Sequence, residues 1–172
     1  LDDAITSVTL SSTPQAIIRQ RANADTLRAA GAEFEGELRV ARTLSVAFTS
    51  GLVSSRFHGD TSLRGRRVPQ VPTYNMGLSV RYLHQAWTAS SQFRVTGPQF
   101  EDDLNVFTLR RAAVWDVFGS RTIAGRVSAF VAVENLLDST YDVGRTPILT
   151  TGLPRASRAG VVITLPSASR TR

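Results

Sequence analysis

The chain contains no cysteine and no lysine. Without cysteine, neither a disulfide framework nor a thiolate metal site can form. All 20 basic residues are therefore arginines, and with 14 acidic residues they give a net charge of +6. A positive net charge is typical of proteins that bind nucleic acid, anionic lipid or an anionic ligand. Because the arginines are spread along the chain instead of lying in one basic, aromatic-interleaved run, we expect no nucleic-acid binding.

Long apolar runs are also missing, since none approaches the roughly 18 to 20 residues that a membrane-spanning helix needs. The first residues do not show a basic stretch followed by an apolar one, so no signal peptide is expected there. The first predicted strand, Ala4 to Leu10, starts almost at the first residue. We therefore expect further sequence upstream of Leu1.

Enzyme signatures are missing too: there is no H-E-x-x-H, P-loop, G-x-S-x-G or G-x-G-x-x-G motif. We predict no catalytic residue, no resident metal and no cofactor. His58, in a long predicted loop, could contact a metal chelate or be simply solvated, and His84 falls in a short turn. Asp102 and Asp103 could hold a cation, or could be an acidic loop beside a proline.

What the sequence does have is strict alternation of apolar and polar residues. From Tyr74 to Tyr82 every second residue is apolar, and Trp87 to Val95 repeats the pattern with Phe93 in its apolar half. Side chains of a strand point alternately to opposite faces. An apolar stripe of about 9 to 11 residues that ends in Tyr or Trp is typical of a lipid-facing strand in an outer-membrane barrel. The residues predicted to face lipid are Tyr74, Met76, Leu78, Val80, Tyr82, Trp87 and Phe93.

Period-two segments predict an all-β fold with about eight antiparallel strands. They are Ala4 to Leu10, Thr26 to Arg39, Thr43 to Arg56, Thr73 to Leu83, Trp87 to Gly97, Asn105 to Phe118, Arg126 to Asn135 and Arg155 to Leu165. Only Gln15 to Ala30 is weakly ambiguous with a helix. The predicted turns at 40–42, 84–86 and 119–125 are short, whereas the loops at 11–25, 57–72, 98–104 and 136–154 are mostly long. Short periplasmic turns and long extracellular loops are the asymmetry of an outer-membrane barrel meander.

The alternation also assigns a face to each residue. The outward set adds Ala30, Ala32, Phe34, Leu38, Leu44, Val46, Phe48, Leu52, Phe107, Leu109, Ala113, Trp115, Val117, Val127, Ala129, Val131, Val133, Ala159, Val161, Ile163 and Leu165. The inward set includes Glu33, Glu35, Glu37, Ser45, Thr49, Arg158 and Thr164. Arg111 falls on the outward side, where a charge at the bilayer midplane costs about 2 to 4 kcal/mol. We therefore expect a bulge, a register shift or snorkelling near Arg110 and Arg111.

Three segments resemble the C-terminal part of the barrel of TonB-dependent outer-membrane receptors. The segment from Val133 to Tyr141 contains an N-L-L-D-x-x-Y motif, with Asn135, Leu136, Asp138 and Tyr141 as its motif residues, and a Gly-Leu-Pro-Arg loop follows at 152–155. Ala30 to Glu33 and Gly65 to Pro72 match weaker strand and loop patterns of the same family. Each piece alone is also explained by ordinary turn and loop residues. Their order and spacing along most of the chain favour the resemblance.

The resemblance implies a function. Such receptors take up scarce ligands, mainly ferric siderophores, cobalamin or haem, across the bacterial outer membrane with energy from TonB. Their barrel has about 22 strands and a plugged lumen. The plug, which would connect to TonB, is not in this sequence, so residues 1–166 would be the C-terminal portion of the barrel. Such receptors tend to end on an aromatic residue, whereas a polar tail, 167–172, follows Pro166 here.

Candidate ligand contacts follow from the predicted outer loops. They are Arg19, Arg21, His58, Arg64, Arg66 and Arg67. Guanidinium groups can pair with an anionic siderophore-like chelate by charge-assisted hydrogen bonds, but they can equally meet lipopolysaccharide phosphates or water. Glu33, Glu35 and Glu37 would face the lumen and the plug in a barrel, or be a solvated edge in a soluble protein.

Two alternatives to the receptor remain at this stage. One is a self-contained eight-stranded barrel with a structural or adhesion role, because eight strands can close. The other is a soluble β-sandwich binding module, in which the predicted outward face would pack against a second sheet.

Overall fold

The computed structural model describes residue 2 and residues 5–12, 17–23, 26–59 and 62–165, which form β-strands, turns and loops. The strands are β1 (Ile5–Ser12), β2 (Ile17–Asn23), β3 (Thr26–Ala41), β4 (Leu44–His58), β5 (Tyr74–His84), β6 (Trp87–Thr96), β7 (Gln99–Phe100), β8 (Thr108–Leu109), β9 (Ala112–Ala124), β10 (Val127–Glu134), β11 (Asp142–Gly144), β12 (Thr150–Thr151) and β13 (Ala156–Ile163). Ala4, Pro166 and the predicted tail at 167–172 lie outside the described residues. Within the described ranges, no helix is long and apolar enough to cross a membrane.

Seven of these strands form one antiparallel sheet in the order β13-β10-β9-β6-β5-β4-β3. Its short connections are the two-residue turns 42–43, 85–86 and 125–126, all at one end. Gln85 and Gly125, the first residues of two of these turns, have positive φ angles of 49° and 44°. The primed turns that close two-residue hairpins require such angles. All long connections, 59–73, 97–111 and 135–155, lie at the other end, so the predicted asymmetry of the loops is confirmed.

The register places the predicted apolar residues on one face of the sheet. Phe48 pairs with Leu78, Leu78 with Phe93, and Phe93 with Trp115. Directly paired residues of antiparallel strands project to the same side. The neighbouring row, which runs from Thr49 through Gly77 to Arg94, lies on the opposite face. The sheet therefore has a continuous apolar face and a continuous polar face.

The apolar face is exposed. Leu52 is 57% exposed, Val131 54% and Val161 63%. In the part of the chain that the structure describes, no second sheet covers these side chains. The interpretation as a β-sandwich is therefore wrong. β3 and β13 are the edges of the sheet and do not pair with each other, so the described strands form an open sheet and not a self-contained eight-stranded barrel.

The first predicted barrel strand is not part of this sheet. β1 pairs with β2, which occupies a stretch that was predicted to be loop, and the two form a separate hairpin. Of the about eight predicted strands, only the first, Ala4 to Leu10, was wrongly placed in this sheet. The physical reason is that the backbone N–H and C=O groups of a strand need hydrogen-bond partners. For β1 these partners are in β2, a strand of seven residues that follows it in the chain.

A second correction concerns the predicted strand from Asn105 to Phe118, which is interrupted at Arg110 and Arg111. The irregularity that was expected there is confirmed. Leu109 was predicted to face outward with Phe107, but it is 1% exposed and belongs to β8, which pairs with β7 at the long-connection end. β9 instead continues past Phe118 to Ala124, because Gly119, Ser120 and Arg121 pair with strands on both sides.

Candidate functional site

The long connections and the β1–β2 hairpin pack together at the long-connection end of the sheet, and this group of segments is here called the loop layer. It contains the buried apolar residues of the described chain: Phe57 at 0% exposure, Leu63 at 2% and Leu109 at 1%. Val8, Leu27, Val68 and Leu104 pack against Phe57 and Leu63. Burial of such side chains is the main driving force for ordering a loop. The loop layer thus has a hydrophobic core of its own, away from the exposed sheet face.

Buried carboxylates cross-link the loop layer. Asp103 accepts hydrogen bonds from the backbone N–H and hydroxyl of Thr9 at 2.8 and 2.6 Å, which ties β1 to the connection 97–111. Asp102 accepts from the backbone N–H groups of Val106 and Phe107 at 3.0 and 2.7 Å. The prediction left Asp102 and Asp103 open between cation ligands and loop residues. Because their oxygens already accept donors of the chain, they act as loop residues in this structure.

Glu101 and Asp142 join the connections 97–111 and 135–155. Glu101 accepts the backbone N–H of Arg145 at 2.6 Å and the hydroxyl of Thr146 at 3.0 Å. Asp142 accepts the Nε and a terminal nitrogen of Arg110 at 3.0 and 2.8 Å. The hydrogen bond from Arg110 lowers the pKa of Asp142 below its ordinary value of 3.8, although burial of the carboxylate acts in the opposite direction. The same hydrogen bond raises the pKa of Arg110.

The motif residues Asn135 and Asp138 close the base of the connection 135–155. Asn135 is 3% exposed, and its side-chain amide donates to the carbonyls of Ser139 and Leu153, both at 3.0 Å. Its side-chain oxygen accepts the backbone N–H of Ser139 at 2.9 Å. Asp138 accepts the backbone N–H of Arg155 at 2.9 Å. The motif therefore joins the first and last residues of this connection.

The other two motif residues lie beside this closure. Leu136 donates its backbone N–H to Trp115 at 2.7 Å, which continues the β9–β10 pairing by one bond. Tyr141 lies over Gly152, where a Cβ atom would come within 1.9 Å of the Tyr141 ring. Only glycine fits at this position, so the Gly-Leu-Pro-Arg loop and the N-L-L-D-x-x-Y motif are packed as one unit.

The six predicted ligand contacts come from three parts of the chain: β2, the end of β4 and the connection 59–73. Arg19 and Arg21 lie on β2, and Arg19 donates to the Thr146 hydroxyl at 3.3 Å. His58 ends β4 and is exposed. Arg64, Arg66 and Arg67 lie in the connection 59–73.

Arg66 and Arg67, like Arg19, have partners within the loop layer. Arg66 donates a hydrogen bond to the Leu104 carbonyl, and the backbone of Arg67 exchanges two hydrogen bonds with the Asn105 side chain, at 2.7 and 2.9 Å. Asn105 was not singled out from the sequence. The sequence did contain a signal for a turn at this position, because asparagine is a common turn former.

The polar face carries the predicted inward residues. Glu33, Glu35 and Glu37 lie on β3 opposite Gly51, Thr49 and Ala47. Farther along the sheet, Arg94 and Asp116 form an ion pair at 2.5 Å, and Arg158 pairs with Glu134. Asp116 also accepts the backbone N–H of Asn135 at 2.9 Å, so this face is connected to the base of the loop layer.

The described residues contain no group of three or more His, Asp or Glu side chains that could hold a metal ion. The loop layer contains a cavity of about 280 Å³, open to solvent, between the β1–β2 hairpin and the neighbouring connections. Arg19, Gln70 and Glu101 are among its lining residues. The cavity is polar, and Arg19 is the one predicted ligand contact that lines it.

Comparison with known proteins identifies the family. The sequence profile of the TonB dependent receptor-like β-barrel family matches residues 1–136. The chain belongs to this family. Among curated proteins, none matches the chain. The predicted resemblance to TonB-dependent receptors is thereby confirmed, as is the all-β antiparallel fold.

Solved structures of uptake receptors and of a transporter are similar in fold. The ferric yersiniabactin uptake receptor FyuA from Yersinia pestis is 25% identical over 84% of this chain and 24% of its own length, with a TM-score of 0.76. The copper transporter OprC is 18% identical over 94% of this chain and 26% of its own, with a TM-score of 0.71. The siderophore receptor PiuA from Acinetobacter baumannii is 14% identical over 92% and 24%, with a TM-score of 0.74. The chain thus spans about a quarter of the length of these proteins.

The Arg110–Asp142 pair predicts a pH dependence of loop order. Because folding lowers the pKa of Asp142, its contribution is present above pH 3.8 and is lost as the pH falls through the folded-state pKa. The protection of 97–111 and 135–155 against hydrogen exchange, taken relative to the intrinsic exchange rate at each pH, should therefore fall below pH 3.8. Asp142→Asn should speed exchange at neutral pH and remove this pH step. Glu35→Gln, on the polar face, serves as the control and should behave as the wild type; an unchanged step in Asp142→Asn would contradict the assignment.

Asn135 offers a test of the loop closure. Asn135→Ala should destabilise 135–155 by about 1 to 3 kcal/mol, because the carbonyls of Ser139 and Leu153 lose the donor that Asn135 supplies. Asn135 also has a positive φ of 50°, which alanine tolerates poorly. Asn135→Gly keeps that backbone conformation and should cost less than alanine. Protease cleavage rates within 135–155 measure both effects, and cleavage of both variants at the wild-type rate would refute the closing role.

Proposed function

We propose that the chain forms the C-terminal part of the barrel of an outer-membrane transporter, as residues 1–166, which takes up a scarce ligand such as a ferric siderophore with energy from TonB. Cobalamin and haem are the other ligand candidates. The observation that carries the proposal is the single-layered sheet with one exposed apolar face and every long connection at one end. Membership of the family and the likeness to receptors for iron chelates and to a copper transporter support it.

In this proposal the apolar face meets the hydrocarbon of the membrane, and the long connections are extracellular. Tyr82 and Trp87, 39% and 50% exposed, would mark the border with the periplasmic headgroups. Polar groups in the middle of such a face need partners, because hydrocarbon offers none. The indole N–H of Trp115 has one, since it donates to the Ser91 hydroxyl on the same face at 2.8 Å. This pairing is suited to lipid contact.

The loop layer would present the ligand contacts to the outside. The candidates remain Arg19, Arg21, His58, Arg64, Arg66 and Arg67. The hydrogen bond of Arg66 to the Leu104 carbonyl supports a structural role for that side chain in addition. Arginines that do not reach the ligand would meet lipopolysaccharide phosphates. On the polar face, Glu33, Glu35 and Glu37 would line the lumen and face the plug through which TonB acts.

The membrane-facing assignment predicts opposite behaviour for two neighbouring residues. Leu78→Arg places a charge on the apolar face and should cost about 2 to 4 kcal/mol near the bilayer midplane. Ser79→Arg adds the same charge to the polar face and should be tolerated. The measurement is the fraction of heat-modifiable, folded protein in outer-membrane preparations. Equal amounts of folded protein for both variants would contradict the assignment.

Ligand uptake is tested with the full-length protein in a strain that lacks its own receptors. Growth on one class of ferric siderophore, cobalamin or haem, lost on deletion of TonB, is the expected result. For an anionic chelate, Arg21→Gln with Arg64→Gln should raise the ligand concentration needed for growth, because charge-assisted hydrogen bonds are lost. Arg39→Gln with Arg81→Gln, at the opposite end of the sheet, is the matched control. Growth that is independent of TonB would overturn the transport proposal.

A further inference from the structure

Positive charge is concentrated at the short-turn end of the sheet. The segments that make up this end, 38–46, 80–90, 118–129 and 160–165, contain five arginines and no Asp or Glu. The other residues of the chain contain 15 arginines and 14 acidic residues, so they are nearly neutral together. Most of the net charge of +6 therefore lies at this end. We call its arginines the short-turn rim; they are Arg39, Arg42, Arg81, Arg121 and Arg126.

Three members of the short-turn rim lie where they can reach the outside of the sheet. Arg42 and Arg126 are exposed residues of the turns 42–43 and 125–126. Arg121 pairs with Trp87 and Ala129, which places it on the apolar face. Arg39 and Arg81 both pair with Ser45 and belong to the polar face.

Arg121 is held in position by an aromatic neighbour. Its guanidinium carbon lies 5.0 Å from the centre of the Trp87 ring. This cation–π contact covers one face of the guanidinium plane, while the N–H groups of any guanidinium point outward within that plane. A charge here, at the end of the apolar face, costs far less than one at the bilayer midplane. The arrangement therefore holds donors at the border between hydrocarbon and headgroups.

We propose that Arg42, Arg121 and Arg126 bind the phosphate groups of anionic phospholipids, such as phosphatidylglycerol and cardiolipin, in the periplasmic leaflet. The proposal rests on the proposed function, which orients the short turns toward the periplasm. The β3–β4 hairpin with Arg42 and the β9–β10 hairpin with Arg126 are four strand spacings, or about 20 Å, apart, and Arg121 lies on β9 near the second hairpin. The three arginines thus form a row along the membrane border. Charge complementarity selects the partner, since no carboxylate in these segments competes for the phosphates.

The test uses the full-length protein purified in detergent, with lipid binding measured by native mass spectrometry. The wild type should bind phosphatidylglycerol and cardiolipin more tightly than phosphatidylethanolamine, and added salt should reduce the difference. A juxtamembrane arginine contributes about 1 kcal/mol, or roughly fivefold, to binding an anionic lipid surface. The triple variant Arg42→Gln, Arg121→Gln, Arg126→Gln should therefore weaken phosphatidylglycerol binding about fivefold at each of the three positions and lose the preference for anionic lipid.

The matched control is Arg28→Gln, Arg111→Gln, Arg155→Gln, which removes three exposed arginines from the long-connection end. It should bind phosphatidylglycerol as the wild type does. Equal binding of anionic and zwitterionic lipids, an equal loss in the control, or tighter binding of peptidoglycan fragments than of lipid by the short-turn rim would each overturn the proposal.

Failure of this proposal is distinguishable from failure of the proposed function. If Leu78→Arg inserts as well as Ser79→Arg, the membrane orientation itself is wrong. If those two variants behave as expected and the triple variant folds but keeps its lipid preference, only the short-turn rim proposal is overturned.

Discussion

A slip of one residue between any two neighbours of the seven-stranded sheet would move the apolar side chains of a strand onto the polar face. The observed register keeps the apolar side chains of all seven strands on one side of the sheet. One row across several strands consists of Phe48, Leu78, Phe93 and Trp115. The other side carries the ion pairs of Arg94 with Asp116 and of Arg158 with Glu134. A single sheet without protein on either face is stable only if its apolar face contacts an apolar medium and its polar face contacts water or polar groups. The proposed membrane and wet lumen are these two surroundings.

The loop layer solves a different problem, because long connections cannot rely on the sheet for a core. Phe57 and Leu63 supply a small apolar centre, and four acidic side chains, Glu101, Asp102, Asp103 and Asp142, accept hydrogen bonds from the connections around them. A buried carboxylate that accepts several N–H groups is well compensated, whereas an isolated one is costly. Order in the loop layer and a polar, open cavity are therefore compatible, and the residues beside Arg19 that line the cavity include Glu101, Asp102 and Asp103, which are held by hydrogen bonds.

Much of the sheet was predictable, because alternation is a local signal. The bounds of β4, β5, β6, β10 and β13 agree with the prediction within two residues, and the faces of their side chains agree throughout. The errors arose where the pattern has two meanings. Leu109 fits an outward strand position as well as a loop core, and β1 alternates like a barrel strand but pairs with β2. In the loop layer, the contacts of Asp103 with Thr9 and of Asp142 with Arg110 join residues far apart in sequence, and no spacing rule reveals them.

The sequence by itself determined most strands of the sheet, its two faces and the resemblance to the family, because each depends on neighbours along the chain or on short motifs. Only the tertiary structure decided which carboxylates cross-link the loops, that Asn135 and Asp138 close a connection, and that the arginines of three separate segments share one end of the sheet. The physical reason is that hydrogen bonds and charges act over a few ångströms in space. Where strands reverse direction, the number of residues between two side chains does not indicate the distance between them in space.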